Sequence, residues 1–284
     1  MIGDLCALRM EQELHYGTRP EDIKDFFLAD MLAGRISNEQ VVQERLRFFQ
    51  MDFNLPIQIL TLRPASRPKA SFLFHNACEE LASHYPRWIS FEYDQSYKLI
   101  APAVSGETFS PEALSQLTGL LREHNLVAGI SRLLRDLTQI AAYNAQSEKA
   151  LELGLMYRRD LYVHLYDDLS IYGMLESHAA IGEVQKLCHS AVFTLQRFDL
   201  KHGTCLLETF AAYLRSNRSI PDTAERLSVH RNTVSYRLRK INELIHINLD
   251  NSDTVFHLLL SCYVLEFEGC GAVRSVEAQA PALR

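Results

Sequence analysis

Residues 219–244, SIPDTAERLSVHRNTVSYRLRKINEL, place apolar side chains at helical spacing on both sides of a three-residue break. Before the break, Pro221 suits a first helical position, where its missing N–H would have had no partner. Asp222 follows in the first turn, where negative charge favours the positive end of a helix. Ala224 is small enough for two helices to cross closely, and Leu227 offers an anchor into a core. Ser228, Val229 and His230 form the turn. From Arg231 a second helix runs to about 244, in which Val234, Leu238, Ile241 and Ile245 fall on one stripe. The opposite side carries Asn232, Tyr236, Arg239 and Glu243, flanked by Ser235 and Lys240, with Arg231 and Thr233 at the leading end. Two short crossed helices result, the second apolar inside and polar outside.

The outer side chains have a shared chemistry. Asn pairs two-pronged with adenine, Arg does so with guanine, and Ser, Thr and Tyr reach base edges or phosphates. Residues 231–240 hold Arg231, Arg237, Arg239 and Lys240 and no acid, in a chain of formal net charge −6. A basic amphipathic helix alone would fit a solvated surface equally well. The preceding helix, the tight turn and the apolar stripe decide for a helix-turn-helix whose second helix enters the DNA major groove. Arg231, Asn232, Thr233, Ser235, Tyr236 and Arg239 are expected to read the groove, and Lys240, Arg237 and Arg218 to hold phosphates.

The remaining chain is long enough, at 284 residues in all, for a second compact domain and a connecting segment. No apolar run approaches the roughly 18–20 residues needed to cross a bilayer. The opening MIGDLCALRMEQELHYG carries acids early and lacks a basic start followed by an apolar block. A cytoplasmic protein without a membrane partner is expected. Six cysteines are scattered with no CxxC pair, which reads as buried thiols in a reducing compartment. Two groupings, Cys188 and His189 with His202 and Cys205, and His75 with Cys78 and His84, match no standard zinc spacing. Phosphate-cradling glycine loops, a nucleophile elbow and HExxH are all missing, so no cofactor and no catalysis are expected.

Residues 21–50 read as two helices broken at 34–37, with Ser37 capping the second. From residue 55 the period changes. Strands are predicted over 55–64, 88–94, 96–103, 126–131 and 161–169, with helices over 70–84, from Pro111, and over about 136–153. That order predicts an α+β fold, a ferredoxin-like antiparallel sheet with helices on one face, followed by an all-α helix-turn-helix domain. The expected division is an N-terminal helical segment (1–52), the α+β domain (53–175), a helical connector with the helix-turn-helix (176–268), and a disordered tail (269–284). Tyr93, Tyr162, Tyr166 and Tyr172 admit two readings, ordinary core or the lining of a pocket for a small-molecule effector.

VHRNTVSYRLRKINEL, followed by NLDNSDTVFHLLLSCYVLEF and preceded by LLETFAAYLRSN, resembles the C-terminal DNA-binding domain of the PucR/CdaR family of bacterial transcription regulators. That domain carries a Fis-like helix-turn-helix. The chain departs from the family pattern at Pro221, where a small capping residue is usual. The stretch AGISRLLRDLTQIAAYNAQSEKALELG is similar to the degenerate GGDEF-like domain of the same regulators. Active GGDEF cyclases carry a Gly-Gly-acid-acid-Phe signature at a hairpin tip, whereas here the tip is Tyr93-Asp94-Gln95-Ser96, without the glycine pair or a second acid. The resemblance implies a sequence-specific transcription regulator of a catabolic or metabolic operon, acting on double-stranded DNA as a homodimer and not as an enzyme. The alternative is an effector- or nucleotide-binding module without catalysis, whose helical C-terminus serves for assembly.

Overall fold

A computed structural model describes residues 20–36, 38–51, 53, 56–66, 71–93, 96–103, 109–179 and 184–277. Contacts divide the chain into two units, residues 1–170 and 171–284. The first contains α1 (Pro20–Leu32), α2 (Glu39–Phe48), β1 (Ile57–Pro64), α3 (Ser71–Ser83), β2 (Ile89–Tyr93), β3 (Ser96–Pro102), α4 (Pro111–Glu123), β4 (Leu126–Ile130), α5 (Ile140–Tyr157) and β5 (Val163–Leu165). Next comes α6 (Tyr166–Ala179), and the second unit continues with α7 (Ser190–His202), α8 (Leu206–Arg215), α9 (Ile220–Arg226), α10 (Arg231–Ile245) and α11 (Ser252–Glu277).

Six successive residues of β1, from Ile57 to Leu62, are buried, which requires cover on both faces of the sheet. β1 lies between β3 and β4, antiparallel to each, with Ile59 opposite Ile100 and Leu60 opposite Ile130. The sheet order is β2-β3-β1-β4-β5, and its first four strands have the ferredoxin-like arrangement. Two expectations need correction. β5 pairs parallel to β4, so the sheet is mixed rather than antiparallel. A parallel pair needs a crossover element between its strands, and α5 supplies it. The strand expected over 161–169 also shrinks to Val163–Leu165, because Asp167 and Asp168 stand in the first turn of α6, where acids favour a helix start.

Helices cover both faces instead of one. Leu60, Leu62, Leu99, Ala128 and Ile130 pack with Cys78, Leu81, Leu117 and Leu121 of α3 and α4. On the reverse, Ile57, Ile59, Phe91 and Ile100 pack with Phe27, Met31 and Leu46 of α1 and α2, and with Ile140 at the start of α5. The N-terminal helices thus share the core of the sheet. On α1, Phe26 is 68% exposed whereas Leu28 is buried. Asn38 caps α2 by accepting from the Val41 N–H, while Ser37, expected in that role, lies outside the described residues. The tail also differs from expectation. α11 continues to Glu277, through a stretch containing the helix formers Ala272, Arg274 and Glu277. Residues 278–284 lie outside the described residues.

One core histidine creates an acid-sensitive point. The His164 side chain on β5 is 2% exposed, and neither ring nitrogen has a hydrogen-bond partner among the described residues. Burial pushes its pKa down to about 4, against a smaller upward pull from Asp160. The unfolded chain would take up a proton near the ordinary value of 6.5. Stability linked to His164 is therefore present above pH 6.5 and is lost as pH falls toward 4. Between pH 7.5 and 5 the loss should be on the order of 2 kcal/mol by denaturant unfolding, and His164→Leu should remove most of it. Equal acid losses in the two proteins would refute this assignment.

Candidate nucleic-acid interface

The second unit forms its core from Val192 and Leu195 of α7, Phe210 and Leu214 of α8, Ile241 of α10 and Leu258 of α11. Polar side chains set the helix starts. The Asp199 carboxylate accepts from the Leu206 and Leu207 N–H groups, both at 2.8 Å, and so satisfies two unpaired donors of α8. Ser219 caps α9 by accepting from the Asp222 N–H, which puts Pro221 at the second helical position, one later than its sequence suggests. Thr223 is fully buried and its hydroxyl returns a bond to the Ser219 carbonyl.

Ala224 is buried where α9 meets α10, as its size requires. Leu227 ends α9 and is only partly buried, so its anchoring role is minor. Ser228 then turns the chain with φ of 53°, and the Val229 N–H donates to the Ala224 carbonyl. His230 caps α10: its Nδ1 accepts from the Asn232 N–H at 3.2 Å. The expected turn of Ser228, Val229 and His230 is present, but the capping role of His230 is not legible in its sequence, because His is an unusual cap.

Along α10, Val234 is fully buried and Ile241 nearly so, with Leu238 and Ile245 packed against the same core. The opposite face is open. Arg231, Asn232, Arg239 and Glu243 are exposed, and Tyr236 is 67% exposed. Thr233 and Ser235 are half-buried at its edges. Among the described residues, the side chains of Arg231, Asn232, Thr233, Ser235, Tyr236 and Arg239 make no hydrogen bond or ion pair.

The three expected phosphate holders are engaged within the domain. Arg237 points toward α8 and donates from Nη1 to the buried Thr209 hydroxyl at 3.0 Å. Lys240 pairs with Glu243 at 3.0 Å on the helix surface. Arg218, itself in a left-handed backbone conformation, donates to the Leu249 carbonyl beyond the end of α10. Arg237 therefore ties α10 to α8, and Arg218 ties the segment before α9 to the segment after α10, contacts with partners 28 and 31 residues away that no local pattern reveals.

Residues 206–264, covering α8 to the first half of α11, match the family model of the PucR C-terminal helix-turn-helix domain. Residues 33–153 match the GGDEF-like domain model. The chain carries a PucR-type C-terminal helix-turn-helix domain and a GGDEF-like domain. It is similar to the purine catabolism regulatory protein of Bacillus subtilis (strain 168), 29% identical over 133 residues, which are 47% of this chain and 25% of that protein. The proline-responsive transcriptional activator PutR of the same organism is 32% identical over 101 residues, 36% of this chain and 25% of that protein. The chain spans about a quarter of the length of these curated relatives. The crystal structure of a regulator of polyketide synthase expression from Bifidobacterium adolescentis aligns over 90% of this chain and 95% of that chain, with TM-score 0.40 and 15% identity. The helix-turn-helix, the flanking α8 and the first half of α11 lie inside the PucR match, and strands β1 to β4 with α2 to α4 and most of α5 lie inside the GGDEF-like match. No helix among the described residues is long and apolar enough to cross a membrane.

Proposed function

We propose that this chain is a non-catalytic, sequence-specific regulator of transcription whose α10 reads the major groove of double-stranded DNA. The supporting observation is the division of labour on α10. Its inner face is buried, its basic outer face carries unengaged side chains, and the whole lies in a PucR-type domain. Arg231, Asn232, Thr233, Ser235, Tyr236 and Arg239 are the proposed base and groove contacts. Lys240 is the proposed phosphate contact; its surface pair with Glu243 is worth under about 1 kcal/mol and yields readily to a phosphate. Arg237 and Arg218 have a smaller share, since each already spends a donor inside the domain.

Two recognition helices about 34 Å apart read a two-fold site, so the working form is a homodimer. The relatives named for purine catabolism and for proline response favour a catabolic or metabolic target and a small-molecule effector in a cytoplasmic setting. The one acid at the hairpin tip, Asp94, lies with Gln95 outside the described residues and gives no support to a cyclase reading.

Single substitutions test the assignment of roles. Asn232→Ala should relax preference between matched and mismatched duplexes by about 1–3 kcal/mol. Lys240→Ala should weaken binding to every sequence alike and lower the salt slope by about one. Equal losses from both substitutions on specific and random DNA would overturn it.

A further inference from the structure

Serine caps α9, and a serine would serve equally at α10. Histidine stands there instead, and it has a second nitrogen. His189 caps α7 in the same way, through Nδ1 to the Ala191 N–H, but its ring packs edge-on against His257 at 5.2 Å and is largely enclosed. The His230 ring is exposed and packs on no other ring among the described residues. Its Nδ1 accepts from the Asn232 N–H at 3.2 Å, so the ring proton sits on Nε2, because the bond at one nitrogen determines the tautomer at the other. Nε2–H has no partner among the described residues. The cap therefore holds a donor at a constant orientation beside Arg231 and Asn232, at the leading end of the helix proposed to enter the groove.

We infer that His230 is a positioning residue for DNA: Nδ1 closes the start of α10 while Nε2–H donates to a backbone phosphate oxygen and sets how the helix enters the groove. This rests on the DNA-reading role proposed above. A phosphate contact carries no base information, so its loss weakens all sequences together. An imidazole that accepts at Nδ1 is neutral, so the contact releases no counterion and leaves the salt dependence untouched. That separates it from Lys240, whose removal lowers the slope.

The test is fluorescence anisotropy of the full chain on duplexes from upstream of its own gene and on scrambled duplex, over a salt series, with His230→Ser and His230→Thr. Both hydroxyl residues keep a capping acceptor and are too short to reach a phosphate, and thermal melting checks that α10 is retained. The expected result is melting close to that of the parent, affinity reduced roughly threefold to tenfold on both duplexes, and an unchanged salt slope. Two variants that fold and bind as tightly as the parent would show His230 to be a cap only and overturn the inference. A changed slope would overturn the neutral contact. If the parent chain bound neither duplex, the DNA-reading role would fail first, and the inference with it.

Discussion

Replacing Lys98 by alanine should cost the first unit about 3–5 kcal/mol, measured as a shift in denaturant midpoint at constant slope. Lys98 lies on β3 with its side chain fully buried, donating to Thr61 Oγ1 at 2.8 Å, Asn144 Oδ1 at 2.9 Å and Glu148 Oε1 at 2.7 Å. An ammonium out of water is tolerable only when all three of its donors are met, and here they are. Thr61 and Ser147 share a further bond at 2.7 Å, so the network joins β1, β3 and α5. Alanine would leave a cavity and would leave the buried Asn144 Oδ1 without its donor, while Thr61 keeps its bond to Ser147 and Glu148, 39% exposed, could turn to water. Lys98→Met with Glu148→Leu should recover much of the loss, because an apolar pair of similar volume carries no desolvation penalty. A loss below about 1 kcal/mol for Lys98→Ala would mean that the network does not hold α5 to the sheet.

Gly129→Ala should be about as damaging, near 3 kcal/mol or more, for a purely steric reason. A Cβ on Gly129 of β4 would stand 2.2 Å from the Ser147 carbonyl oxygen and 2.5 Å from the Leu151 nitrogen. Both are backbone atoms of α5, so no side chain can swing aside, and the helix itself would have to lift off the strand. Lifting it would also disturb Gly154, whose own added Cβ would meet the His164 ring at 2.1 Å. Gly119 of α4 is the control: a Cβ there meets nothing within 4 Å, so Gly119→Ala should leave stability unchanged or raise it by up to about 1 kcal/mol. Similar melting temperatures for the two alanine variants would contradict the close seating of α5 on β4.

Elements with a strong apolar period were legible from sequence. The stripe Val234, Leu238, Ile241 and Ile245 does pack inward on α10, and the polar side opposite is open. The first four strands follow from the change of period after residue 55, and the turn follows from the break in helical spacing. What escaped rests on partners far along the chain. Gln58 and Thr61 look like solvent-facing members of an alternating strand, yet both are buried because Ser131 and Ser147 bond to them across more than 70 residues. That is why helices on both sheet faces were not foreseen. Arg237 and Arg218 read as phosphate contacts because a local pattern registers their charge and cannot show the acceptors that meet it. His230 was seen only as a turn residue, since its cap depends on ring geometry.

Anisotropy of the parent chain, on DNA from upstream of its own gene against a scrambled duplex across a salt series, tests the central claim most directly. Several-hundred-fold preference or more for the specific duplex is expected, with log affinity falling by several units per log unit of salt. No binding to either duplex at low salt would contradict it.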